Sequence, residues 1–154
     1  MGKTVALFFS AKRRVDMYDE SIPLLVKFYN ELLEKGVAFE IVYVSEDSEE
    51  KYFQEVIAQM PWLALPFGDK TIRKLFRYFQ ISTIPEVVII DPDGKVRWEL
   101  PLPPLYFIEL YGSKFYPFTK ERVDQIEEEL KEVNRGYEDE YDEDGEATEE
   151  EEGI

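Results

Sequence analysis

The sequence predicts an α/β fold: a mixed central sheet of four or five strands with helices on both faces. Three observations lead there. Residues 5–10 and 37–45 are short, nearly continuous apolar runs rich in β-branched and aromatic side chains, the composition of strands buried on both sides. A segment of helical period separates them, so the two strands should run parallel through a helical crossover. Further on, Asp91-Pro92-Asp93-Gly94 is a tight-turn sequence between two extended stretches, which adds an antiparallel pair.

The elements follow in order. After the first strand comes a polar segment, residues 12–21. Residues 22–35 then repeat apolar positions at Leu25, Phe28, Tyr29, Leu32 and Leu33, one face of a helix, with Gly36 as its stop. Beyond the second strand, Asp47 or Ser48 is placed to cap a helix over about 49–59, which Pro61 ends. Residues 62–66 read as a short extended piece. Asp69 caps a helix over 70–79 whose Ile72, Leu75, Phe76 and Phe79 share a face. Residues 86–90 form a strand and 95–100 return beside it as a hairpin partner. Pro101, Pro103 and Pro104 then interrupt regular structure, and Thr119 caps a last helix that runs to about Asn134 before Gly136.

Composition narrows the chemistry. The 154 residues include no Cys and no His, so thiolate nucleophiles, disulfide exchange, sulfur or imidazole zinc sites and a Ser-His-Asp triad are all ruled out. The formal net charge of −16 is unevenly spread: eleven of the 34 acidic residues lie within residues 138–152, where there is no Lys or Arg. One domain over 1–134 followed by a disordered acidic tail over 135–154 is the organisation this predicts. An acidic chain is poorly matched to phosphate backbones, so no nucleic-acid partner is expected. The apolar run near the start is too short to cross a bilayer, so no membrane partner is expected and the setting read from the sequence is cytoplasmic, or nuclear.

Several blocks resemble the nucleoredoxin and tryparedoxin branch of the thioredoxin-like proteins. They are Val5-Ala6-Leu7-Phe8-Phe9-Ser10-Ala11, Phe28-Tyr29-Asn30-Glu31-Leu32, Phe39-Glu40-Ile41-Val42-Tyr43-Val44-Ser45, Met60-Pro61-Trp62-Leu63-Ala64-Leu65-Pro66-Phe67, and Ile84-Pro85 through Gly94. The resemblance implies a thioredoxin-like fold across roughly residues 4–98. It also implies that Pro85 is the family's cis-proline, facing the active-site loop and presenting backbone to a bound peptide. The loop itself departs from the family: where a Trp-Cys-x-x-Cys segment would lie, Val15 and Tyr18 stand near the two cysteine positions. The block from Tyr111 to Thr119 is similar to the region after this domain in plant nucleoredoxins. It is similar as well to the thioredoxin-like domain of plant sieve element occlusion proteins.

The candidate site is therefore the former active-site face: Lys12, Arg13, Arg14, Val15, Tyr18, Ile84 and Pro85. The basic triplet sits where α/β folds place ligands, at a strand end before a helix start, and would suit a phosphate or an acidic peptide. The plainer alternative is a solvated loop, or a cluster that docks the chain's own acidic tail. Glu140, Asp142, Asp144 and Glu151 fall at calcium-loop positions, but the first position is Glu and flanking amphipathic helices are missing. At most a weak, diffuse Ca²⁺ association is expected, with no resident metal and no cofactor. The aromatic and proline-rich stretch over 98–107 should cover the sheet edge.

The function these readings predict is a redox-inactive, non-enzymatic module that binds a protein or peptide partner, with self-association as an option. The alternatives are a structural, calcium-modulated subunit related to sieve element occlusion proteins, and a cysteine-free variant of a thiol–disulfide oxidoreductase.

Overall fold

The computed structural model describes residues 2–12 and 19–144, the last eight of these as backbone alone. Strand β1 (Thr4–Ser10) is central. It pairs in parallel with β2 (Phe39–Ser45), in register from Thr4 opposite Phe39 to Ser10 opposite Ser45. On its other side it pairs antiparallel with β4 (Glu86–Ile90), and the two-residue β3 (Leu63–Ala64) extends β2. The sheet has four strands in the order β3-β2-β1-β4. The predicted α/β architecture is what the chain adopts.

Alternation along each strand sorts side chains to two cores. Ala6, Phe8, Phe39, Ile41, Tyr43, Val87 and Ile89 face a cluster built with α1 (Ser21–Glu34), α2 (Glu50–Ile57), α4 (Pro104–Tyr111) and α5 (Lys120–Asp144). Leu7, Phe9, Val44 and Val88 face a smaller cluster with Ile72, Leu75, Phe76 and Phe79, the apolar side of α3 (Lys70–Tyr78) and its last turn. Helices thus lie on both faces, as the continuous apolar strands require. Phe8, Leu25, Phe28, Ile41, Phe115 and Phe118 are essentially fully buried, and each such side chain contributes roughly 1.5–3 kcal/mol of transfer free energy.

Four sequence expectations are corrected. The predicted fifth strand over 95–100 is reduced to a single bridge, Ile90 with Val96, closed by bonds from the Asp91 amide to the Lys95 carbonyl and from the Arg97 amide to the Ile89 carbonyl. The chain then turns away through the prolines, which have no ladder donor to offer. Those prolines do not merely interrupt structure, because Pro104 sits in the first turn of α4, where its missing N–H is tolerated. Neither Asp47 nor Ser48 caps α2, which starts at Glu50 behind Glu49 with no side-chain cap, since Asp47 is engaged elsewhere. Finally, α5 runs past Asn134 to Asp144, because Gly136 stays out of the left-handed conformation that would stop a helix there. Helical backbone therefore replaces the start of the calcium-loop pattern at Glu140, Asp142 and Asp144, while Glu151 lies outside the described residues. Asp69 and Thr119 do cap their helices: Thr71 N–H donates to the Asp69 carboxylate at 2.8 Å, and Arg122 N–H to the Thr119 hydroxyl at 3.0 Å.

Candidate functional site

The C-terminal ends of β1 and β2 stop side by side at Ser10 and Ser45, the edge of the sheet where α/β folds bind their ligands. Two carboxylates organise this edge. Asp19 bridges the strand end to the helix start: the Ser10 hydroxyl donates to it at 2.8 Å, and both the amide (2.9 Å) and the hydroxyl of Ser21 donate to its other oxygen. This is an Asx turn that satisfies an orphan amide of α1, so Asp19 does a cap's work from one residue further out. Asp47 is buried and accepts from the Tyr43 hydroxyl at 3.1 Å, from the Ser45 hydroxyl and from the backbone N–H of Lys12. It thereby ties the chain leaving β1 to the chain leaving β2. Burial, reinforced by the Asp47 charge, raises the pKa of Tyr43, which stays a neutral donor.

Lys12 is committed within the fold. Its ammonium meets Glu55 of α2 at 2.8 Å and lies over the Tyr52 ring at 5.9 Å. Arg13, Arg14, Val15 and Tyr18 lie outside the described residues. Ile84 and Pro85 flank a cis peptide bond, as the resemblance implied. A second cis bond at Tyr116-Pro117 was not anticipated.

Ile84 and Pro85 form one wall of an open groove of about 510 Å³, completed by Ser10, Asp19, Glu20, Ser21, Leu24, Leu105 and Glu109. The structure thus brings the predicted proline loop to the helix start and the strand end. It adds Leu105, which the sequence places in the sheet-edge cover, and Glu109, which no motif of the sequence singles out. The groove is apolar where Leu24, Ile84, Pro85 and Leu105 meet and acidic at Asp19, Glu20 and Glu109, while the Ser10 and Ser21 hydroxyls are already donated to Asp19. That arrangement suits an extended peptide with one apolar side chain and free backbone groups. Glu86, immediately after the proline, has its pKa raised by partial burial. Asp19 and Asp47 were the missed residues, and the signals available for them were the short Asp-x-Ser and Ser-x-Asp spacings at element ends.

The thioredoxin-like family profile matches residues 2–96, and the chain belongs to that family. Among curated proteins it is 42% identical over 127 residues to probable nucleoredoxin 1 of Arabidopsis thaliana, covering 82% of this chain and 21% of that protein. It is 36% identical over 138 residues to probable nucleoredoxin 2 of Oryza sativa subsp. japonica, covering 89% of this chain and 34% of that protein. The chain therefore spans about a fifth to a third of the length of these relatives. Among solved structures, tryparedoxin II from Crithidia fasciculata superposes with a TM-score of 0.65 at 29% identity, covering 77% of this chain and 81% of that one. Tryparedoxin II has also been solved in complex with glutathionylspermidine, and that structure superposes with a TM-score of 0.64.

Proposed function

We propose that this chain is a nucleoredoxin-like binding or assembly module that has kept the peptide-facing edge of its fold without redox chemistry. The observation that carries the reading is the groove beside Ile84-Pro85, present in a chain with no cysteine. Thiol–disulfide exchange requires a thiolate to attack and a second sulfur to leave, and this chain supplies neither. What it retains is shape: an apolar slot, carboxylate acceptors at Asp19, Glu20 and Glu109 beside it, and a proline loop that borders the slot. An extended segment of a protein partner is the ligand such a surface accommodates. The cytoplasm or nucleus is the setting we assign to it. Among the described residues no helix is long and apolar enough to cross a membrane.

The test is a capture experiment with three forms: the full chain, a deletion after Gly136, and the triple variant Arg13→Ala, Arg14→Ala, Tyr18→Ala. Partners lost with the triple variant and kept by the deletion support the former active-site face as the working surface. Partners lost only with the deletion would transfer the function to the acidic segment. A parallel insulin-reduction assay should show no turnover above buffer, and measurable turnover would remove the redox-inactive half of the reading.

A further inference from the structure

Helix α3 carries a charge pattern that the groove does not use. Lys70, Arg73, Lys74 and Arg77 stand at i, i+3, i+4 and i+7, which aligns them in one stripe along the helix. All four are exposed, while Ile72, Leu75, Phe76 and Phe79 face the core on the opposite side. The nine residues of α3 include no acid. Among the described residues none of the four cations has a carboxylate oxygen within 4.0 Å. Lys74 reaches Asp69, the helix cap, only through space.

Such segregation needs an account in a chain with 34 acids and 18 bases. Like charges four residues apart on a helix repel each other, so the stripe costs α3 stability unless an anion meets it. The complementary element is in the same sequence: residues 138–152 hold eleven acids and no base. Blocks of this kind act as interaction segments. The root of α5 and the stripe of α3 lie on opposite faces of the sheet. Val123 anchors α5 in the larger core, on one face of the sheet, and α3 covers the other face. The sheet and its helices therefore stand between one molecule's stripe and the root of its own α5, a barrier that does not apply to the segment of a second copy.

We infer that the Lys70, Arg73, Lys74 and Arg77 stripe of α3 docks the acidic segment, residues 138–152, of a second copy of this chain. The contact is heterologous, since stripe and segment are different surfaces, so association grows with concentration and is not confined to a closed dimer. Exposed charges carry it, and it weakens as salt shortens the screening length.

Sedimentation equilibrium on the full chain tests this, over a concentration series in about 50 mM and about 500 mM salt. The expected result is a weight-average mass that rises with concentration at low salt only. Arg73→Glu/Arg77→Glu should weaken that association by roughly tenfold or more, since two attractive contacts become repulsive. Reversing the segment with Glu149→Lys, Glu150→Lys, Glu151→Lys and Glu152→Lys should weaken it comparably. Combining both sets should restore it, which also shows that the helix variant remains folded. A chain that stays monomeric throughout overturns the inference. So does association indifferent to Arg73→Glu/Arg77→Glu, or loss on the helix side without rescue by the combined variant. If a homopolymeric RNA binds the stripe and a synthetic peptide of residues 137–154 does not displace it, the stripe is a nucleic-acid face and the inference falls.

Discussion

Asp47 accepts hydrogen bonds from three parts of the chain at once: the Lys12 amide, the Tyr43 hydroxyl and the Ser45 hydroxyl. Removing it leaves buried donors without a partner, which costs more than the bonds themselves contribute. Asp47→Ala should destabilise the chain by about 2–3 kcal/mol in urea unfolding, and Asp47→Asn by less, because its amide oxygen still accepts. Equal losses for both would mean that packing, not acceptor capacity, sets the position. Glu86 behaves in the opposite sense. Its folded pKa lies above its unfolded value because partial burial disfavours the charge. The native state therefore holds a proton that the unfolded chain releases first. Stability is highest below the unfolded pKa and falls as pH rises through the folded one. Glu86→Gln should consequently raise Tm at pH 7 and leave it nearly unchanged near about pH 4. A Tm gain independent of pH would point to packing. Of Val15 and Tyr18, which stand near the family's cysteine positions, Tyr18 is tested by the capture experiment.

Single helices are settled by short local signals, and the chain shows where such signals hold. Thr119 accepts from the Arg122 amide as a hydroxyl cap should, and nothing else competes for it. Thr119→Ala should cost about 1 kcal/mol, read as a lower urea midpoint with an unchanged m-value. A changed m-value would mean that the substitution alters more than the cap. Asp69 is likewise a cap: its carboxyl pKa is lowered, chiefly by the Thr71 amide, so its contribution is present at neutral pH and lost as pH falls through the folded pKa. Asp47 was the failure of the same reasoning. A carboxylate before a helix reads as a cap, but a buried tyrosine and serine reached it first, a competition between elements that no local window contains. The prolines over 101–104 misled for a related reason. They do forbid a ladder, and Pro104 also begins α4. The decision rests with Phe107 and Ile108, which become fully buried only if that segment coils against α1 and β4.

At the scale of the whole molecule, two cores on a four-stranded sheet determine what can be changed. Phe8 and Phe39 stand on adjacent strands within the larger cluster, and Phe39 packs against Phe28 and Phe118 at centroid distances of 5.6 and 5.4 Å. Phe39→Ala should cost about 3–5 kcal/mol in chemical denaturation. A loss under about 1 kcal/mol would mean that the cluster collapses into the space. The apolar periodicities and the two strand runs placed most of this core in the sequence, because burial on both sides demands continuous apolar strands. The groove was legible only in part. Ile84-Pro85 could be singled out, but Leu24 comes to it from α1 and Leu105 and Glu109 from α4, two segments distant in sequence.

The sequence by itself determined the sheet-and-helix layering, the family resemblance and the absence of any thiol, because strand periodicity and residue chemistry are properties of short stretches. It also held the acidic segment and the cationic spacing of α3. Only the tertiary structure decided that the fifth strand shrinks to one bridge, that Asp47 serves a buried network rather than a helix end, and that a groove opens beside Pro85. Each of these is a contest between segments far apart in the chain, and it is resolved by which buried groups find partners once the sheet has formed.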